Sequence, residues 1–325
     1  MEPMDAAQRA RFMLDGIDVA ASKGIEIGPL ASPVVTRGQG DIRYLDHVDV
    51  ASLQSTHGVH HAVDESRIVA LDYVLDGRSI RETVGNDGPF DYVVASHVIE
   101  HVPDPITWLR DIRSVLSDGG AVSLAVPDGR RGFDIHRDPT TVADLIDAHL
   151  HRAAVPSPGQ IYDHLSSAKS YHGEVVWGDD PPLDELVNVH TPAEALACAT
   201  AAAGTGEYVD VHCWVFTPTS FAFVITELGR LQLHDFAIER CTDTVVGEFF
   251  ATLRAGPTPI DVAAQPPPSR TELERRLAAT ELELWHASRD RDLLRAQLDR
   301  TYATASWRIT APLRAATDWF RRRGR

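Results

Sequence analysis

The sequence predicts an α/β protein, with a mostly parallel sheet covered on both faces by helices and a separate long helix near the C-terminus. Three observations carry this. Five short runs rich in β-branched residues recur between residues 24 and 126, with helical patterns between several of them. Further helices and an antiparallel strand pair complete this body by residue 254. A proline-rich stretch then precedes a segment whose leucines recur at three- and four-residue steps.

The elements follow in order. Residues 24–28, GIEIG, form a short buried strand stopped by Pro29. Residues 41–45, 67–72, 90–95 and 121–126 supply four more, the last ended by Pro127. Between the fourth and fifth lies the clearest helix. Asp104 caps it, Pro105 suits its first turn, and Ile106, Leu109, Ile112 and Leu116 form one apolar stripe. Ser117-Asp118-Gly119-Gly120 ends it. Residues 127–190 are rich in His, Asp, Pro and Tyr with weak periodicity, as expected of an insertion over an active-site edge. Thr191-Pro192 opens an alanine-rich helix to about Ala203, and residues 207–216 alternate like a strand. Thr217-Pro218 opens a helix with Phe221, Val224 and Leu228 on one face, and residues 234–239 and 246–253 read as an antiparallel pair.

The expected organisation is a body over 1–254, a proline-rich linker over 255–269, a coiled-coil helix over 270–304 and a basic amphipathic tail over 305–325. Leu273, Leu277, Thr280, Leu284, Ala287, Arg291, Leu294 and Leu298 mark the heptad seam, so self-association through this helix is expected. In the tail Ile309, Leu313, Ala316 and Phe320 share a face flanked by arginines. Such an end suits either an anionic membrane surface or a partner helix.

Charge is uneven. The chain carries −16 overall, while the stretch from Arg270 onward holds 13 Arg against 8 acidic residues. An acidic body is a poor nucleic-acid binder. Cys198, Cys213 and Cys241 are odd in number and widely spaced, which argues against a disulfide framework or a cysteine metal site and for a cytoplasmic protein. The N-terminal residues hold no apolar core of a secretory signal, and no run of 18 apolar residues suggests a membrane span.

Residues 97–101 spell H-x-x-E-H, a string that can hold zinc on a helix. Here His97 follows a buried strand, Pro103 stands two residues after His101, and no third ligand is singled out. No metal is expected, and the string reads as a strand-end loop facing a cleft.

Residues 90–127, FDYVVASHVIEHVPDPITWLRDIRSVLSDGGAVSLAVP, resemble the fourth-to-fifth-strand segment of class I S-adenosylmethionine-dependent methyltransferases, in particular a methyltransferase type 11-like branch. Asp91, Glu100, His101, Asp104, Pro105, Leu116, Gly119 and Gly120 carry the match, and residues 20–127 fit the family's domain. The resemblance implies a Rossmann-like seven-stranded sheet with its last strand antiparallel, and S-adenosylmethionine as cofactor. It implies Glu26 and Gly28 at the cofactor's amino-acid portion, Asp46 at the ribose, Asp72 with Tyr73 at the adenine, and Ser96 and His97 on the floor between cofactor and substrate. One glycine stands in EIGPLASP where the family has two or three, and the short gap from Gly28 to Asp41 leaves the first covering helix short or missing.

Direct methyl transfer to a nucleophile is the implied reaction. An oxygen nucleophile needs a base, for which Asp128, Asp134, His136, Asp138, Asp163, His164 and His172 are candidates; His97, Asp128 and His164 are taken as the catalytic set. The tail resembles those of bacterial surface-polysaccharide assembly enzymes, which implies a small-molecule or glycan acceptor and a place at the inner membrane surface. The alternative is a non-catalytic scaffold of such an assembly.

Overall fold

The computed structural model describes residues 4–57, 65–177, 181–256 and 270–303. The chain divides into two units, Met1–Pro266 and Pro267–Arg325.

In the first unit α1 (Ala6–Met13) opens the chain with Asp5 and Gln8 in a capping box. Then come β1 (Lys23–Ile27), β2 (Asp41–Asp46), α2 (Val50–His57), β3 (Tyr73–Val74), α3 (Ile80–Val84) and β4 (Phe90–Ser96). They are followed by α4 (Pro105–Val115), β5 (Leu116–Pro127), α5 (Val142–Leu150), α6 (Pro158–Ser167), β6 (Lys169–Ser170) and β7 (Val187–Asn188). The unit closes with α7 (Pro192–Thr205), α8 (Pro218–Arg230), β8 (Phe236–Cys241) and β9 (Glu248–Ala255). One seven-stranded sheet runs β3-β2-β1-β4-β5-β9-β8. Its first five strands are parallel, and β9 lies antiparallel to both β5 and β8. β6 and β7 pair separately.

Strand alternation sends side chains into two cores. On one face Ile25, Val93, Val122 and Leu124 pack with Ile106, Leu109 and Ile112 of α4 and with Phe221, Val224 and Leu228 of α8. On the other, Ile42, Tyr44, Tyr92, Val94 and Phe250 pack with Met13 and with Val34 and Val35 of the loop after β1. Both faces being covered is why β4 reads as an unbroken apolar run. α4 forms as expected, with Asp104 accepting from Thr107 N at 3.0 Å and Pro105 in its first turn. Its buried Leu109 anchors the stripe, and truncation to Ala would cost about 2–5 kcal/mol.

Four expectations need correction. The third strand forms at Tyr73–Val74 and not over 67–72, so Asp72 precedes it. β5 begins at Leu116 and takes in Ser117 to Gly120, because Gly119, at φ +73°, lets the backbone re-enter the sheet after a register shift. The 127–190 region carries two regular helices, α5 and α6, each started by a capping box that outweighs its weak periodicity. Residues 207–216 are not a sheet strand: beyond the single bridge of Phe216 to Asp128, their backbone bonds go to loops and side chains, as Cys213 N does to Glu100 O and Thr140 N to Val215 O, each at 2.8 Å.

No helix lies between Gly28 and Asp41; Glu26 and the apolar pair Val34 and Val35 organise that loop instead. The second unit contains α9 (Arg270–Ala303), on which Leu273, Leu277, Leu284 and Leu294 are exposed. The expected tail over 305–325 and most of the linker lie outside the described residues. No helix among the described residues is long and apolar enough to cross a membrane.

Candidate active site

The order in which successive strands are laid down reverses between the parallel strands β1 and β4, and ligands of open α/β sheets bind at the carboxyl ends of strands at such a point. Gly28, Asp46, Ser96, His97 and Asp128 all lie at that edge, as does Glu248 at the start of antiparallel β9.

The loop after β1 is built on Glu26. Its carboxylate is buried and accepts from Val34 N (2.7 Å) and Val35 N (3.0 Å). Burial pushes it up to about 7, opposed by those two bonds and by Arg9. Gly28 has φ +69°, and a Cβ there would come within 3.1 Å of Val98 Cγ2. The bare backbone therefore leaves a cradle that any other residue would fill.

Asp46 is buried at the end of β2, and its Oδ1 accepts from His47 N at 2.7 Å. Asp72 is placed differently. Its carboxylate takes two bonds from Arg37 (3.1 and 2.8 Å) and one from Tyr44 N (2.8 Å), alongside the middle of β2. The Tyr73 hydroxyl donates to Asp87 at 2.5 Å, and Asp87 also holds Lys23 at the amino end of β1 and Arg43. Burial, then Asp87, pushes that phenol up to about 12. Asp46 ends β2, whereas the Asp72 carboxylate is taken up by Arg37 and Tyr44 N and the Tyr73 hydroxyl by Asp87.

His97 leaves β4 in the left-handed region, at φ +52°. Its Nε2 lies 2.8 Å from Glu248 Oε2, and its Nδ1 3.4 Å from Glu100 Oε1. Burial opposes its charge, yet the two carboxylates raise it to about 9. Glu248 is gripped in turn by Arg9 of α1 (2.6 Å). His97 is thus a fixed cation at neutral pH. Asp128 is fully buried and holds Arg130 through its backbone N–H (3.0 Å) and guanidinium (2.6 Å), and it accepts from Thr244. His164 on α6 accepts from His212 N at 3.2 Å, and burial pushes it down to about 3, so it is neutral.

Of the other candidate bases, Asp134 and Asp163 converge on Arg137, at 2.8 and 2.6 Å, and Asp134 also bonds His212 Nδ1 at 2.6 Å. His136, Asp138 and His172 are exposed outside this group. The sequence reading missed Arg9, Glu248 and His212. Glu248 was visible as the lone acid at the head of a predicted strand, but only the fold puts it opposite His97.

Strand order, the antiparallel β9 and the acidic, glycine-bearing edge define a Rossmann-like methyltransferase fold. The methyltransferase domain model matches residues 6–173, just over half of the chain, and the chain belongs to that family. No curated protein matches it. Among solved structures it is similar to an S-adenosylmethionine-dependent methyltransferase from Clostridium acetobutylicum (7% identity, covering 78% of this chain and 93% of that one, TM-score 0.39). It is also similar to the CcbJ methyltransferase from Streptomyces caelestis (11%, 78% and 90%, 0.35). A third, the glycopeptide N-methyltransferase MtfA complexed with sinefungin, matches at 14% identity over 38% of this chain, with a TM-score of 0.28, and the match spans 55% of its length. At these scores the likenesses add nothing to the family match.

The edge fits a methyl donor of the nucleoside-sulfonium kind. The Gly28 cradle admits a close approach of ligand to backbone, and the Asp46 carboxylate keeps acceptor capacity for hydroxyls.

Proposed function

We propose that this chain transfers the methyl group of S-adenosylmethionine to a nucleophile of a small-molecule or glycan acceptor. The observation that carries this is the pairing of the Gly28 cradle with buried Asp46 at the switch point of a methyltransferase-family sheet. Gly28 and Asp46 hold the donor, Ser96 lines the floor, and Glu26 keeps the loop in shape through Val34 and Val35. The sulfonium supplies an activated carbon, so the protein's part is alignment and exclusion of water. His97 already carries a proton at neutral pH, and the Asp128 carboxylate is saturated by Arg130 and Thr244. His97 therefore acts as a positioning cation, and Asp128 holds the loop after β5. The exposed leucines of α9 are the surface for self-association, and a glycan acceptor would place the enzyme in cell-surface polysaccharide synthesis.

Calorimetric titration of the full chain with S-adenosylmethionine and S-adenosylhomocysteine tests the reading. Micromolar binding is expected, weakened by about 10- to 100-fold in Asp46→Ala, the equivalent of one or two strong hydrogen bonds. A folded chain that binds neither compound at millimolar concentration would overturn it.

A further inference from the structure

The H-x-x-E-H string fails as a zinc motif in its usual sense, since only residues 99–101 form a helical turn and His97 turns away to Glu248. The fold regroups its other two polar residues. The segment 207–216 is clamped against that turn by Cys213 N to Glu100 O (2.8 Å) and by Trp214 Nε1 to Val102 O (2.6 Å), which brings His212 beside them. Among the described residues, Glu100, His101 and His212 each offer a ligand atom, and these atoms all lie within 4.8 Å of one another.

A second observation points to a cation there. Glu100 is 0% exposed, and neither carboxylate oxygen has a hydrogen-bond partner among the described residues. A buried carboxylate without hydrogen bonds is costly, and the ion pair of Glu100 with His97, through Oε1 at 3.4 Å, gives neither oxygen one. The surroundings of His212 supply a third indication. Its Nδ1 is bonded to buried Asp134 (2.6 Å), itself fixed by Arg137 (2.8 Å), leaving Nε2 for a ligand. A carboxylate holding the far nitrogen of an imidazole is the usual support of a metal-bound histidine.

We infer that Glu100, His101 and His212 bind a divalent first-row transition-metal ion. Two imidazoles and one carboxylate suit such an ion, and three protein ligands leave coordination positions open. The site borders the donor edge: the Tyr208 hydroxyl donates to His101 O (3.3 Å), and the Tyr208 ring lies against His47, the residue bonded to Asp46. The open positions take hydroxyl oxygens of the acceptor. That last assignment rests on the methyl-transfer reading; the metal site does not.

The test uses the full chain, stripped with chelator and titrated with Zn2+ and with Mn2+ by calorimetry and thermal unfolding. Saturable micromolar binding of at least one ion and a raised Tm are expected. Glu100→Gln and His212→Gln should each weaken binding by about 100-fold or more while S-adenosylhomocysteine binding persists, which shows that the variants are folded. No binding by a folded wild-type chain, or equal binding by wild type and both variants, would overturn the inference. Metal binding without S-adenosylhomocysteine binding would instead remove the methyl-transfer reading and leave the metal site standing.

Discussion

Glu26 makes the loop after β1 sensitive to pH, and the size of the effect follows from its surroundings. In the unfolded chain the carboxyl titrates at its ordinary 4.5, and in the fold at about 7, because burial outweighs the bonds from Val34 and Val35. The fold therefore favours the protonated form. Its contribution to stability is fully present below pH 4.5, is lost as pH rises to about 7, and is constant above that. At about 1.4 kcal/mol per pH unit, that interval corresponds to about 3 kcal/mol. The assay is urea unfolding of wild type and Glu26→Gln at steps from about pH 4.5 to about pH 7.5. The chain's other carboxylates titrate in both proteins and cancel in the difference. Wild type should lose about 3 kcal/mol more than the variant across that range. Parallel profiles would refute the reasoning, because they would mean that Glu26 titrates alike folded and unfolded.

Three further outcomes are expected. Asp72→Ala should change S-adenosylhomocysteine affinity by less than about threefold and lower stability by about 1–2 kcal/mol, since its partners are Arg37 and Tyr44 N; calorimetry and urea unfolding separate the two effects. Asp128→Asn should destabilise by about 1–3 kcal/mol, because it weakens a buried acceptor of Arg130 and Thr244, and a Tm unchanged within error would contradict this. Native Cys213, whose thiol burial pushes up to about 12, should resist alkylation at pH 8 until urea unfolds the chain; rapid labelling of the native protein would count against that burial.

What could be read from the sequence were the elements whose local signal and tertiary role agree. β4, α4 and β5 were legible because a double-sided apolar strand, a capped amphipathic helix and a second such strand follow one another. Asp46 was placed correctly at a strand end because β2 has a clear apolar run before it. Asp72 was not, since the apolar residues 68–71 look like a strand although only Tyr73 and Val74 pair with β2. Residues 207–216 alternate like a strand, but their backbone partners are loop residues such as Glu100 and Thr140 and not a neighbouring strand. His212 was illegible for the same reason: a lone histidine in an apparent strand gains meaning only from what the fold sets against it.

That segment has a consequence for how such a protein changes over time. Gly28, Asp46 and Ser96, proposed to hold the donor, all precede β5, whereas His212 and Trp214 come from a stretch beyond the family match and outside the sheet. Because Val211, Cys213, Trp214, Val215 and Phe216 are buried, change in that stretch is confined to exposed positions such as Glu207, Tyr208 and Asp210.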